Sequence, residues 1–229
     1  MENELPSEGV LLLQDAEIAH QLRAVLKIKT GESVLLFNGT GFDFEFAVKK
    51  LGRDHAFGHI VGQIRNQREP GRIVMLHQSL IKKNNFEFAA AKCAELGVEK
   101  FCPFVSARSV KKGIRRDRIE KILKESTEQC GGDRIPALVA PVGFAEAVKA
   151  LPKDKNAENI LFDPTGDPLR HAKDGAKNIN IFIGPEGGFT EEELKMFRDA
   201  GGAIHSLGPR ILRSETAAIV AAGLFLTPH

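Results

Sequence analysis

Tryptophan and tyrosine are absent from the 229 residues, and cysteine and methionine occur only three times each. Each shortage closes a route. Without indole or phenol rings, any nucleobase stacked on this chain must rest on phenylalanine, histidine or an arginine plane. Cys93, Cys102 and Cys130 have neither an even count nor a Cys-x-x-Cys pairing. No disulfide framework or zinc site is indicated, and reduced structural thiols are expected. The seven histidines sit in no carboxylate cluster, and no metal is expected. No apolar run reaches the roughly 18 residues of a membrane helix. The first residues, Met1-Glu2-Asn3-Glu4, are acidic where a signal peptide starts basic. A cytoplasmic protein with no membrane partner is the expectation.

What remains is an ordinary globular composition, 42% hydrophobic and 27% charged, with room for one large or two small domains. A net charge of +2 does not by itself announce a nucleic-acid partner. Its distribution says more: Lys111, Lys112, Arg115, Arg116, Arg118, Lys121 and Lys124 fall within fourteen residues whose only acids are Asp117 and Glu120. Such a run is either a solvated helix face or a grip on phosphates.

From Leu11 to about Arg68 the pattern is mainly β. Gln14 to Leu26 fits a short helix, Ser33 to Phe37 a strand, and Asn38-Gly39 a tight turn. Phe42, Phe44, Phe46 and Val48 then alternate with Asp43, Glu45 and Ala47, the period of a strand with one buried face. With His59 to Ile64 as another strand, a small barrel is expected. The polar stretch Asn66 to Gly71 ends in Pro-Gly and precedes a change of period, which places a domain boundary there, between residues 1–70 and 71–229. Beyond it strand-like and helical segments alternate. The series is Ile73 to His77, helix Asn85 to Leu96, Val98 to Val105, a basic helix through Glu128, Pro136 to Ala140, helix Phe144 to Leu151, and Ile160 to Phe162. An α/β fold with a mostly parallel sheet covered by helices follows.

The chemistry concentrates near the carboxyl end. Asn180-Ile181-Phe182-Ile183 is a buried strand, and Gly184, Gly187 and Gly188 follow where the chain must turn or approach something closely. Thr190 and Glu193 form a capping box that opens a helix carrying Leu194 and Phe197. Gly201-Gly202 ends it, Ala203 to Leu207 makes a second strand, and Ser214 is placed to cap a helix from Glu215 to Leu226. Two strands thus end in backbone-rich loops at the carboxyl edge of the sheet, where ligands of open α/β folds bind. Neither loop matches the dinucleotide fingerprint or the phosphate loop, and a glycine turn before a helix can be only a turn. Arg210 and Arg213 beside Glu215, in a segment otherwise apolar and small, point to a site.

The motifs Ile183-Gly184-Pro185-Glu186-Gly187-Gly188-Phe189 and Leu207-Gly208-Pro209-Arg210-Ile211-Leu212-Arg213-Ser214-Glu215-Thr216-Ala217 resemble the signature of the RsmE family. These are SPOUT-superfamily, S-adenosylmethionine-dependent methyltransferases acting on N3 of a uridine in small-subunit (16S) ribosomal RNA. The likeness extends to Lys92 to Val98, Ser106 to Ser109, Glu128-Gln129-Cys130 and, more loosely, His20 to Lys27. It implies a C-terminal SPOUT domain with a trefoil knot, which sequence patterning never proposes, and an N-terminal PUA-like RNA-binding barrel. It further implies a homodimer, and a substrate that is ribosomal RNA, free or in a ribosomal subunit.

The cofactor residues it implies are Phe162, Ile183, Gly184, Pro185, Gly187, Leu207, Gly208, Ile211 and Leu212. The RNA contacts it implies are Arg23 and Lys27, and Lys112, Arg115 and Arg116 of the basic run are candidates beside them. Lys27 stands where relatives commonly carry arginine, and Gly132 where an arginine is expected after the Glu128 motif.

Methyl transfer from a sulfonium needs alignment and an activated acceptor. Arg213 is the candidate for stabilising the uracil anion, and Glu186 or Glu215 for accepting its proton. Either acid could instead serve a helix N-terminus. Two rival readings are a non-catalytic RNA-binding or ribosome-assembly factor, and a SPOUT enzyme acting on another RNA. The intact glycine loops and Arg213 argue against the first, and the Gly-Pro-Glu-Gly-Gly and Leu-Arg-Ser-Glu-Thr motifs against the second.

Overall fold

The computed structural model describes residues 5–37, 41–65, 69–110, 113–152, 154, 156–169 and 176–227. It divides into two compact units, residues 1–69 and 70–229. The acidic start, the Asn38-Gly39 turn, Asn66 to Arg68, Lys111 and Lys112 lie outside the described residues.

In the N-terminal unit β1 (Gly9–Leu13), β2 (Ser33–Phe37), β3 (Phe42–Leu51) and β4 (Ala56–Arg65) form an antiparallel sheet in the order β1-β4-β3-β2. Phe44, Phe46 and Val48 are buried on one face of β3, as the alternation predicts, and pack with Ala56, Ile60 and Leu22. Helix α1 (Ala16–His20) starts at Asp15, whose Oδ1 accepts the Glu17 and Ile18 amides at 2.8 and 3.1 Å. It runs directly into a π-helical turn, Gln21–Val25, that carries Leu22 into the core. Soon afterwards Lys27 takes φ 54°, the left-handed region, which costs a residue with a Cβ about 1 kcal/mol or more.

The C-terminal unit alternates strand and helix. In order these are β5 (Ile73–Ser79), α2 (Lys83–Glu95), β6 (Lys100–Val105), α3 (Arg116–Cys130), β7 (Ala137–Leu138), β8 (Val142–Gly143) and α4 (Phe144–Lys149). Then come β9 (Ala157–Pro168), β10 (Asn178–Ile183), α5 (Glu191–Asp199), β11 (Ala203–Ser206) and α6 (Ser214–Leu226). The sheet is parallel, in the order β11-β9-β10-β5-β6-β7, with β8 also against β6. Strand period decides its two faces. Ile179, Ile181 and Ile183 enter one core with α2, α3 and α6, while Phe182 enters the other with α4 and α5. Ala218, Ala221 and Ala222 are fully buried and let α6 lie close against α2.

Three details depart from the expected elements. Strand β8 adds two residues where none was expected, and β9 runs on to Pro168 instead of ending at Phe162. Ser214 does not cap α6: it is the first helical residue, Arg213 holds the cap position, and the Ser214 hydroxyl is engaged elsewhere. The reason is tertiary, since a buried carbonyl 30 residues away takes that donor.

Candidate active site

The carboxyl ends of β9, β10 and β11 open into one cleft of about 570 Å³. Its first wall comes from β9. The pairing with β11 jumps from Leu161 opposite Ile204 to Asp167 opposite His205, and the pairing with β10 ends at Phe162, so residues 163–166 bulge from the sheet. Asp163 fixes this excursion by accepting the Thr165 amide and hydroxyl at 2.9 and 2.7 Å.

The second wall is the glycine loop after β10. A Cβ on Gly184 would lie 2.8 Å from the Phe189 ring, so only glycine fits there. Gly188 is the loop residue in the left-handed region, φ 68°. Gly187 has no such backbone need; a Cβ there would meet the Arg108 stem at 3.3 Å.

Three side chains brace the loop. Ser214 donates to the Gly184 carbonyl at 2.6 Å and accepts from Gln78 Nε2 at 2.9 Å. Arg108 donates through Nη1 to the Gly187 carbonyl at 2.7 Å. Glu193 completes the capping box of α5 with Thr190 and, through its other oxygen, accepts the Ala107 amide at 2.8 Å. The loop carrying Arg108 is held in turn by Ser109, whose hydroxyl meets Ser79 Oγ at 2.8 Å and accepts the Ser106 amide at 3.0 Å.

The third wall, Ser206 to Ser214, brings Arg210 and Arg213 to the cleft. Ile211 lines it too, yet its side chain is 86% exposed, so what it offers the interior is backbone.

One cleft therefore gathers Phe162, Ile183, Gly184, Pro185, Glu186, Gly187, Leu207, Gly208, Ile211, Leu212 and Arg213. It also gathers Arg108, from the Ser106 to Ser109 stretch of the resemblance but given no role there, and residues the sequence did not single out: Asp163, Thr165 and Ser206. The remaining candidates lie elsewhere. Arg23 donates to the Gly52 carbonyl at 2.9 Å, and Lys27 is exposed, both in the N-terminal unit. Arg115 pairs with Asp117, and Arg116 with Glu120 and the Leu138 carbonyl, at the start of α3. Glu215 is buried in the first turn of α6 and does not line the cleft. Lys92 and Glu95 pair with each other at 2.7 Å. Burial pushes the Cys102 thiol up to about 11 and that of Cys93 higher still, so neither supplies a thiolate near neutral pH. Among the described residues no three His, Cys, Asp or Glu side chains converge on a point.

Residues 68–226 match the RNA methyltransferase domain family. Ribosomal RNA small subunit methyltransferase E of Mesomycoplasma hyopneumoniae is 32% identical over 76% of this chain and 78% of its own. The chain belongs to the ribosomal RNA small subunit methyltransferase E family of RNA methyltransferases. The Bacillus subtilis member is 27% identical over 90% of this chain and 85% of its own. In three dimensions the fold matches the family member from Neisseria gonorrhoeae, solved with S-adenosyl methionine bound, with a TM-score of 0.90. That match has 27% identity and covers 97% of this chain and 93% of that one. A putative methyltransferase from Legionella pneumophila, also with the cofactor bound, gives a TM-score of 0.83 at 29% identity, over 97% and 93% of the two chains. Among the described residues no helix is long and apolar enough to cross a membrane.

Proposed function

We propose that this protein transfers the methyl group of S-adenosylmethionine to N3 of a uridine in small-subunit ribosomal RNA. The observation that carries the reading is the cleft itself. Its walls are three chain loops offering backbone and small or apolar side chains, in a fold that follows a cofactor-bound relative over 97% of this chain. The residues fit that cofactor. About 570 Å³ lies within the range of small-molecule sites, and a side chain at Gly184 would clash with the Phe189 ring that also lines the space. Phe162, Ile183, Leu207 and Leu212 would enclose the adenosyl group, with Gly184, Pro185, Gly187, Gly208 and Ile211 approaching through backbone. Bound there, the cofactor supplies an electrophilic methyl whose leaving group is a neutral thioether.

The protein's share is alignment and charge. Uracil N3 must lose its proton, and a cation beside the adjacent carbonyl oxygens stabilises the anion that forms. Arg213, exposed and on the cleft wall, has that role, and Glu186, exposed at the lip, accepts the proton. Glu215 serves the amino end of α6, where a carboxylate is favoured by the helix dipole.

RNA is also held by the N-terminal unit, a PUA-like barrel, through Arg23 and Lys27, and by Lys112, Arg115 and Arg116. The ion pairs of Arg115 and Arg116 are solvent-exposed and worth little, so phosphates can displace them. A homodimer, joined partly through the outer face of α6 where Val220 and Leu224 stay over a third exposed, completes the site. A trefoil knot is in keeping with the path of the chain, which leaves β11 at the sheet edge and returns as α6 across β5 and β10. The cytoplasm, with a ribosomal subunit as substrate, is the setting. Labelled methyl transfer into naked small-subunit RNA and into assembled subunits tests the reading; no incorporation into either would contradict it.

A further inference from the structure

The cations of the basic run differ from those of the cleft in a way the sequence does not show. Along α3 and just before it they are neutralised: Arg115 with Asp117 at 2.8 Å, Arg116 with Glu120 at 2.8 Å, and Arg118 with Glu87 of α2 at 3.3 Å. Around the cleft they are not. Arg108, Arg210 and Arg213 form no close ion pair with another described residue, Arg108 feeling the Glu192 carboxylate only at longer range, and all three are exposed. Their loops leave β6 and β11, strands four places apart in the sheet, or roughly 19 Å at about 4.8 Å per strand. The Arg108 loop and the start of the Arg210 loop thus flank the cleft, while Arg213, next to Ser214, lies by the glycine loop at the ends of β10 and β5.

Arg108 is built in rather than loosely exposed. One N–H is spent on the Gly187 carbonyl, its stem lies across Gly187, and its loop is tied to β5 by Ser79 and Ser109 and to α5 by Glu193. A guanidinium has five N–H donors, so most of its donor set remains beyond the one spent on Gly187, on a residue that lines the cleft. We infer that Arg108 binds a backbone phosphate of the RNA on the β6 side of the target nucleotide, opposite Arg210. Gripped at both edges, the strand presents its base to the cleft between them, which is the geometry an enzyme needs to act on an unstacked base. This inference rests on the reading of the protein as an RNA methyltransferase and adds a substrate contact to it.

The test compares wild type with Arg108→Gln and Arg108→Lys in the full-length protein, using a small-subunit ribosomal RNA fragment. RNA affinity is measured across a salt series, and S-adenosylmethionine affinity by calorimetry. Glutamine removes the charge while keeping a polar side chain of shorter reach, and lysine keeps the charge without the fork. Arg108→Gln is expected to weaken RNA binding roughly tenfold and to lower the salt slope by about one, with cofactor affinity within about twofold of wild type. Arg108→Lys should restore the slope and part of the affinity. Unchanged RNA affinity and slope in Arg108→Gln would overturn the inference, and so would a loss confined to cofactor binding, which would leave Arg108 a brace for the glycine loop. The two failures are separable: a wild-type protein that transfers no methyl to RNA defeats the functional reading, whereas an active wild type beside an Arg108→Gln variant with normal RNA binding defeats only this one.

Discussion

Ser214 donates its hydroxyl to the Gly184 carbonyl at 2.6 Å, joining the first residue of α6 to the first residue of the glycine loop. The same oxygen accepts from Gln78, so the ends of β5 and β10 and the start of α6 meet at one side chain. Ser214→Ala leaves a buried carbonyl and a buried amide without that partner, at a cost of about 1–3 kcal/mol. Thermal melting should show the loss, and calorimetry a weaker cofactor affinity, because the wall that shifts belongs to the cleft. A variant melting and binding as wild type does would mean that the contact is incidental.

The glycines of the loop are not equivalent. Gly184→Ala drives a methyl into the Phe189 ring, whereas Gly187→Ala meets only the flexible stem of Arg108. Cofactor affinity should fall at least tenfold in the first and within about threefold in the second, by the cost of forcing a buried ring aside. Equal effects would show that the loop adapts and that its shape does not set the site.

A part-buried polar row gives a pH dependence. His77 stacks on Phe182 with centroids 4.1 Å apart, and its Nε2 lies 3.3 Å from Asn180 Oδ1. Burial pushes its imidazole down to about 4, with the Asn180 bond acting the other way. The unfolded chain takes up a proton near pH 6.5 while the folded one does not until about 4. Stability from this group is thus complete above about pH 6.5 and is lost as the pH falls towards 4. Denaturant melts at pH 7, 5.5 and 4.5 should decline more steeply in wild type than in His77→Gln; parallel declines would remove His77 from the account.

How much of this was legible depended on the range of the interactions. The strand, glycine loop and helix from Asn178 to Asp199 could be read because the capping box and the apolar period act within a few residues. So could β3, whose phenylalanines alternate. The extension of β9 could not, because Asp163-Pro164-Thr165-Gly166 looks like a turn and pairs with β11 only through the sheet. The role of Arg108, inside the Ser106 to Ser109 stretch, is not legible because its partner is 79 positions away, and the sequence suggests a cap at Ser214 because the acceptor of its hydroxyl is 30 away. In the basic run the local pairs, such as Arg116 with Glu120, lie within reach of helical spacing, whereas the pairing of Arg118 with Glu87 on another helix does not.

Arg213 separates chemistry from holding. If it stabilises charge that appears only in the transition state, Arg213→Ala should lower single-turnover methylation at saturating RNA roughly a hundredfold and leave RNA affinity within about threefold. A loss of affinity with an undiminished saturated rate would assign it to RNA positioning, and the charge-stabilising role would pass to Arg210.

The most direct measurement is nucleoside mass spectrometry of small-subunit ribosomal RNA from cells lacking this protein, with wild-type or Arg213→Ala protein restored. The account predicts that 3-methyluridine disappears from that RNA, returns with wild type, and does not return to full level with Arg213→Ala. Undiminished 3-methyluridine in the deleted cells, or the loss of a different methylated nucleoside in its place, would contradict it.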